Sequence, residues 1–441
     1  MSLIALCDGN NFYAAAEMVF RPSLVGRPVV VLSNNDGCAI ARSDAAKALG
    51  IKMGDPWFKI KHLEERAGLV ALSANFALYG DMSDRMMTVM AGLGVDQLCY
   101  SIDECFIDMT GIRGDLEARA HKVRSRVLQW VGIPCCIGMG QSKTLAKLAN
   151  HIAKSAERKP GSYPARLAQV CNLASLSPAE ISELFALTPV GEVWGVGRRI
   201  GEQLAAGGIN TVHDLVNLDA PTVRARWGVT LERTVRELRG QSCIELDDMA
   251  SPRQEIACTR SFGQPVTELE PLIEAVSSYA STAGERLRKQ QGLAGAVRVF
   301  AHTSPFRPGP RYARSMVVPL RRPSADTSTL VTAAANGLRA IYEPGFQIAK
   351  AGVMLLDLIQ ADKLLQHELD LEADADHDRT RLMLAMDTVN SRYMLSGGIR
   401  SSPRSGGSKP YRAGSYRPHA PSPGRATARC SYGTDELRHG Q

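Results

Sequence analysis

An acidic pair lies between two β-favouring runs. In Tyr100-Ser101-Ile102-Asp103-Glu104-Cys105-Phe106-Ile107-Asp108 the apolar flanks predict a hairpin with Asp103 and Glu104 at its tip. A straight strand would send the two side chains to opposite faces, whereas a tight turn lets them converge. An isolated Asp-Glu tip is ordinarily a solvated turn. A second stretch argues for more. Ser2-Leu3-Ile4-Ala5-Leu6-Cys7 is an apolar run of strand length that ends in Asp8, before Gly9-Asn10-Asn11-Phe12-Tyr13. An Asp closing a buried strand beside that hairpin assembles three carboxylates. Such an all-oxygen donor set suits hard divalent cations, foremost a pair of Mg²⁺.

At 441 residues with 44% hydrophobic content the chain exceeds one ordinary core, so two to four domains are expected. The short apolar start lacks a basic leader, and no run of eighteen apolar residues occurs, so neither an export signal nor a membrane span is expected. Ten cysteines without any C-x-x-C read as reduced cytoplasmic thiols. Of the net charge of +7, residues 394–441 carry +6, so a basic pI says nothing about the rest of the chain. Local clustering says more. From Arg286 to Arg322 nine basic residues, among them Arg298, Arg307, Arg311 and Arg314, stand without one acid and with Phe300, Phe306 and Tyr312 between them. An ordinary solvated face would mix signs, so nucleic-acid contact is the preferred reading.

Cys7-Asp8 with Asn10 to Glu17, then Val30 to Cys38 (Val-Val-Leu-Ser-Asn-Asn-Asp-Gly-Cys), then Tyr100 to Asp108 resemble, in order, motifs of the Y-family translesion DNA polymerases, and among them the UmuC-like group. The likeness runs from about residue 1 to about residue 393. It implies an α/β (α+β), multidomain right-hand polymerase: a palm at 1–24 and 76–164, fingers at 25–75, a helical thumb at 165–245 and a little finger at 252–358. It implies error-prone, templated addition of deoxynucleotides to a primer opposite damaged template in an SOS-type response. Asp8, Asp103 and Glu104, with the Gly9 carbonyl, would hold two Mg²⁺. Phe12, Tyr13, Arg42, Lys47 and Lys154 would bind the nucleotide, Tyr13 by obstructing a ribose 2′-hydroxyl. Asp44 departs from the family, several members of which carry an aromatic there. Primer-template DNA and dNTP are the implied ligands; a processed UmuD-type dimer, RecA and the sliding clamp are the implied partners.

The remaining residues fit this frame. Ser43 to Leu49 reads as a short helix stopped by Gly50, Tyr79 to Leu93 and Leu116 to Trp130 as helices, and Cys135 to Met139 as a strand. Ser142-Lys143-Thr144 opens an amphipathic helix with Leu145, Leu148 and Ile152 on one side. Lys143, Lys147 and Lys154 form a stripe on the other; a plain solvated face is the alternative reading, and the resemblance implies a triphosphate contact for Lys154. Trp194-Gly195-Val196-Gly197 followed by Gly208-Ile209 resembles a helix-hairpin-helix, whose glycines Gly195 and Gly197 would let backbone amides reach a DNA phosphate; a plain helical corner is the alternative. Residues 252–358 alternate in the order β-α-β-β-α-β, a four-stranded sheet backed by two helices. Gln366-x-x-Leu369-x-Leu371 resembles a clamp-binding peptide. From Met394 the composition turns to Arg, Gly, Ser and Pro, which predicts no fold. There the chain departs from the family's usual end and reads as the product of a shifted frame or a replaced C-terminus; a basic arm that gathers DNA is the alternative. Two other functions remain open: a catalytically inactive DNA-binding scaffold, and a palm-type cyclase using a similar acidic hairpin.

Overall fold

The computed structural model describes residues 2–33, 36–246, 254–360 and 379–393. The clamp-like motif at 366–371 and the tail at 394–441 lie outside them. In chain order the first elements are β1 (Ile4–Gly9), α1 (Phe12–Phe20), β2 (Val29–Leu32), β3 (Ala39–Arg42), α2 (Asp44–Ala48), α3 (Trp57–Ile60), α4 (Leu63–Ala67), β4 (Val70–Ser73) and α5 (Phe76–Ala91). They are followed by β5 (Asp96–Cys99), β6 (Glu104–Asp108), α6 (Leu116–Val131), β7 (Cys135–Gly140), α7 (Lys143–Arg158) and β8 (Val170–Asn172).

β1 runs in the middle of a sheet ordered β5-β6-β1-β7-β8, and all its residues are buried. Its alternation divides two cores. Ala5 and Cys7 pack with α1, α5 and α6, while Ile4 and Leu6 meet Phe106 and Ala146 on the other face. α7 lies against that second face, close over β7 because Gly138 and Gly140 are bare there. A Cβ on Gly138 would come within 2.1 Å of the Asn150 nitrogen. Leu145, Leu148 and Ile152 of α7 are buried in the core shared with the helical unit that follows, each worth about 1.5–3 kcal/mol. The Ser142 hydroxyl caps this helix by accepting from the Leu145 amide.

Two expectations need correction. β8, which pairs in parallel with β7, makes residues 170–172 the fifth strand of this sheet, beyond the boundary expected at 164. The acidic pair does not form a symmetrical hairpin tip: residues 100–103 make the turn and Glu104 already opens β6. The cause is Ser101, whose hydroxyl accepts from the amides of Asp103 (3.3 Å) and Glu104 (3.1 Å) and so closes the turn one residue earlier.

The small sheet β3-β2-β4 has its own core of Val30, Leu32, Ala39, Ala46, Ile51, Ile60 and Leu69. A helical unit follows: α8 (Pro178–Leu187), α9 (Arg198–Ala206), α10 (Val212–Val216), α11 (Ala220–Trp227) and α12 (Val229–Leu238). It shares a core with the outer side of α7. One buried carboxylate joins the two. Glu237 accepts from the Thr144 amide and hydroxyl (both 2.9 Å) and from the amides of Cys243 and Ile244.

The last unit has the expected order: β9 (Ile256–Val266), α13 (Leu269–Lys289), β10 (Gly292–Thr303), β11 (Ala313–Ser324), α14 (Thr327–Ile341) and β12 (Ile348–Gln360), with sheet order β11-β10-β12-β9. Val297, Val299 and Ala301 of β10 turn to the helices, so Arg298, Phe300 and His302 face outward. A final helix, α15 (Thr380–Tyr393), is pinned to this unit by the two-pronged Arg288–Asp387 pair, both contacts at 2.7 Å. Phe306, in the loop after β10, meets Phe58 of α3 with ring centroids 6.1 Å apart.

The α/β, multidomain class expected from the sequence is what the elements build. Among the described residues no helix is long and apolar enough to cross a membrane.

Candidate active site

Strand alternation brings the first two carboxylates together. Ile4, Leu6 and Asp8 share one face of β1, Glu104 and Phe106 the same face of β6, and Asp8 pairs directly with Glu104 across the ladder. That is the face covered by α7. Lys154 Nζ approaches Asp8 Oδ2 at 2.5 Å and Lys147 Nζ donates to Glu104 Oε2 at 2.8 Å. Two lysines of the stripe, Lys147 and Lys154, therefore face the acids and not water. Lys143 is also buried, donating to the Glu245 carbonyl at 2.5 Å.

Asp103 is adjacent but turned aside. Its backbone carbonyl accepts from the Gly9 amide at 2.8 Å, while its carboxylate accepts from the Ser101 hydroxyl at 2.6 Å. Among the described residues, no three such side chains converge closely enough to form one ligand set. The chemistry of the group is nonetheless that of a cation site: hard oxygens only, with two ammonium groups supplying the positive charge. Electrostatics fits this. Burial, and then the neighbouring Glu104, push Asp8 up to about 7 against the pull of Lys154. Burial also works to raise Glu104, but Lys147 outweighs it and holds that carboxyl below the ordinary glutamate range.

The other expected residues scatter in an informative way. Tyr13 stacks on Tyr79 (centroids 4.3 Å apart, 18°) with Phe76 edge-on, and Tyr79 is itself anchored by donating to Glu17 at 2.8 Å. Burial and the charge of Asp103 both raise the Tyr13 phenol. Phe12 is a core side chain, 3% exposed and packed under Gly9 beside Met86. Lys47 donates to Asn11 and pairs with Asp44 at 3.2 Å; Arg158 approaches the same carboxylate at 3.7 Å. Arg42 instead donates to the Ile51 carbonyl, within the small sheet's own unit. A cleft of about 560 Å³ opens between α1, α2 and the 132–134 turn, lined by Asn10 and Asn11 but by none of the three acids.

Farther out, Gly195 has φ +93° and Gly197 caps the start of α9, so the turn needs its first glycine for conformation. Arg298 lies on the open sheet face. Phe300 beside it lies over Gly352, where a Cβ would fall 2.7 Å from the ring. Arg314 does not join them: it pairs with Ala301 on the helix side and meets Glu343 at 3.5 Å. Arg311 folds back on the Ser304 and Pro305 carbonyls, and Arg307 is exposed in the same loop. The sequence did not single out Glu237 or Arg158. Glu237 acts across a long sequence separation with no local pattern, whereas Arg158, four residues after Lys154, extends the lysine stripe and could have been found.

Two family models match the chain, the impB/mucB/samB family over residues 7–151 and the C-terminal domain of that family over residues 253–369. Protein UmuC of Salmonella typhimurium is 43% identical over 393 residues, covering 88% of this chain and 91% of the relative. Protein ImpB of the same species is 40% identical over 391 residues, covering 88% and 90%. DNA polymerase IV 1 of Bacillus subtilis is 26% identical over 307 residues, covering 68% and 70%. Among solved structures, a Y-family DNA polymerase chimera, Dbh-Dpo4(243-245)-Dbh, superposes with a TM-score of 0.64 at 17% identity, covering 81% of this chain and 99% of the other, a likeness of fold.

Proposed function

The chain belongs to the impB/mucB/samB family of Y-family translesion DNA polymerases, and from that premise we propose that Asp8, Asp103 and Glu104 are the carboxylates at which it extends a primer. The observation behind this is the direct pairing of Asp8 with Glu104 under α7, with the Asp103 backbone bonded to Gly9. The reaction is templated addition of a deoxynucleotide with release of pyrophosphate. Polymerases of this family depend on divalent metal; here Asp8, Asp103, Glu104 and the Gly9 carbonyl would hold two Mg²⁺. Bound there, the ions would neutralise triphosphate charge and lower the pKa of the primer 3′-hydroxyl.

The protein's own groups do the rest. Lys154, now on Asp8, and Lys47, now on Asn11 and Asp44, are the cations that can exchange those partners for triphosphate oxygens. Arg158, beside Asp44, is a third; the bond from Arg42 to Ile51 makes its part structural. Tyr13, braced by Tyr79, lies under the sugar and excludes a 2′-hydroxyl, with Phe12 fixing the backbone from below. We assign the units as palm (β1 and α1, with the stretch from α5 through β8), fingers (β2–β4), thumb (α8–α12) and little finger (β9–β12). Gly195 and Gly197 hold a DNA phosphate, and Arg298 and Arg307 lie toward the duplex. Arg311 and Arg314 would reach it only by leaving their present partners. The clamp-like Gln366, Leu369 and Leu371, a UmuD-type dimer, RecA and a cytoplasmic setting belong to the same proposal, and rest on the family.

Primer extension on damaged and undamaged templates, in Mg²⁺ and in EDTA, with and without the partner dimer, tests the reading. Metal-dependent, templated extension that continues opposite the lesion is expected. DNA binding with no extension under any of these conditions would overturn it in favour of an inactive scaffold.

A further inference from the structure

Lys147 is held from two sides. Its ammonium donates to Glu104 at 2.8 Å, and around it stand the rings of Tyr100, Trp194 and Phe106, with centroids 4.6, 5.3 and 6.0 Å away. The rings also hold one another. Tyr100 meets Trp194 edge-on at 5.8 Å and Phe106 at 5.6 Å, and Trp194 lies 6.1 Å from Phe106. Lys147 is only 17% exposed at its side chain, so the attraction of the cation for these π faces is little screened.

The cage joins two parts of the molecule. Tyr100 and Phe106 belong to the acidic hairpin and Lys147 to α7, whereas Trp194 immediately precedes Gly195 at the entrance to α9. We propose that Lys147 is a positioning residue that ties the seating of the 194–197 turn to the orientation of Glu104. When the turn is in place, the ring of Trp194 fixes the ammonium, and the ammonium fixes one carboxylate oxygen. Without the ring, Lys147 and Glu104 swing together and the carboxylate is less often in its working orientation. The inference rests on the assignment of Glu104 as a catalytic carboxylate.

The test uses the full chain, primer-template DNA, dNTP and Mg²⁺. Trp194→Leu keeps apolar bulk and removes the π face; Trp194→Phe restores a ring. The expected result is a fall in kcat of about tenfold for Trp194→Leu, with near-complete recovery in Trp194→Phe. KM for dNTP and Kd for DNA should stay within about twofold, since none of the cage residues is among the nucleotide and DNA contacts proposed above. In a double-mutant cycle, Trp194→Leu should add no further loss to Lys147→Met. If Trp194→Leu does not fold, Tyr100→Leu with Tyr100→Phe is judged by the same criteria, because Tyr100 is 49% exposed and outside the core.

A wild-type kcat in the leucine variant would overturn the proposal. So would equal losses in the leucine and phenylalanine variants, a loss confined to DNA affinity, or losses that multiply in the cycle. Glu104→Ala separates these failures from failure of the underlying reading. If that variant is inactive while the cage variants behave normally, only the tie is wrong; if it extends normally, both are.

Discussion

Asp8 and Glu104 face each other directly across the β1–β6 ladder, each with a lysine of α7 at its outer oxygen. Like charges opposed across strands are destabilising unless something neutralises them. Here two ammonium groups do so, and the remaining strain falls on Asp8, the more deeply buried of the two.

That strain has a pH signature in metal-free protein. Asp8 titrates near 7 in the fold against an ordinary value of 3.8, so between those values the folded state holds a proton that the unfolded chain has released. Its contribution to stability is full below about pH 4 and is lost as pH rises through 7. Lys147 holds Glu104 below its ordinary range, so its own shift runs opposite to that of Asp8. In EDTA, wild type should lose about 2–3 kcal/mol relative to Asp8→Asn between pH 5 and pH 8. Denaturant melts at the two pH values measure this, and parallel pH slopes for the two proteins would contradict the assigned strain.

Tyr13 is braced by stacking on Tyr79, so its removal should leave the acids in place. Tyr13→Ala is expected to keep most deoxynucleotide insertion and to raise the incorporation of ribonucleotides at least tenfold, as the obstruction alone is lost. Competition between dNTP and rNTP on one template reads this directly, and an unchanged preference would remove Tyr13 from the sugar site.

Glu237 is a structural counterpart to the acids at the site. It is fully buried and satisfies donors from both α7 and the 243–244 turn. Glu237→Ala strands those donors and should cost at least about 3 kcal/mol of stability. Glu237→Gln, which keeps acceptor capacity, should cost clearly less. Urea melts of the three proteins check the order; a wild-type midpoint for the alanine variant would show that the α7–α12 joint carries no such weight.

Much of this arrangement is legible in the chain. The alternation of Ile4, Leu6 and Asp8, and of Glu104 and Phe106, puts both acids on one face once their strands are recognised, and the order of elements in 252–358 follows from period and turn residues alone. Pairing register does not. That β8 closes the sheet, or that Thr144 lies over Glu237, depends on contacts between residues far apart in sequence, which local propensity does not encode. The stripe of Lys143, Lys147 and Lys154 carries the same lesson. Spacing defines the face, but only the sheet beneath α7 decides that the face looks onto carboxylates instead of water.

Asp103, whose carboxylate accepts from the Ser101 hydroxyl, is proposed to join Asp8 and Glu104 as a metal ligand during extension. Single-nucleotide insertion by Asp103→Asn, measured at saturating primer-template and across a Mg²⁺ titration, tests it most directly. Insertion should fall by at least about a thousandfold at every Mg²⁺ concentration, with DNA affinity and melting temperature near those of wild type. Insertion within tenfold of wild type would contradict it.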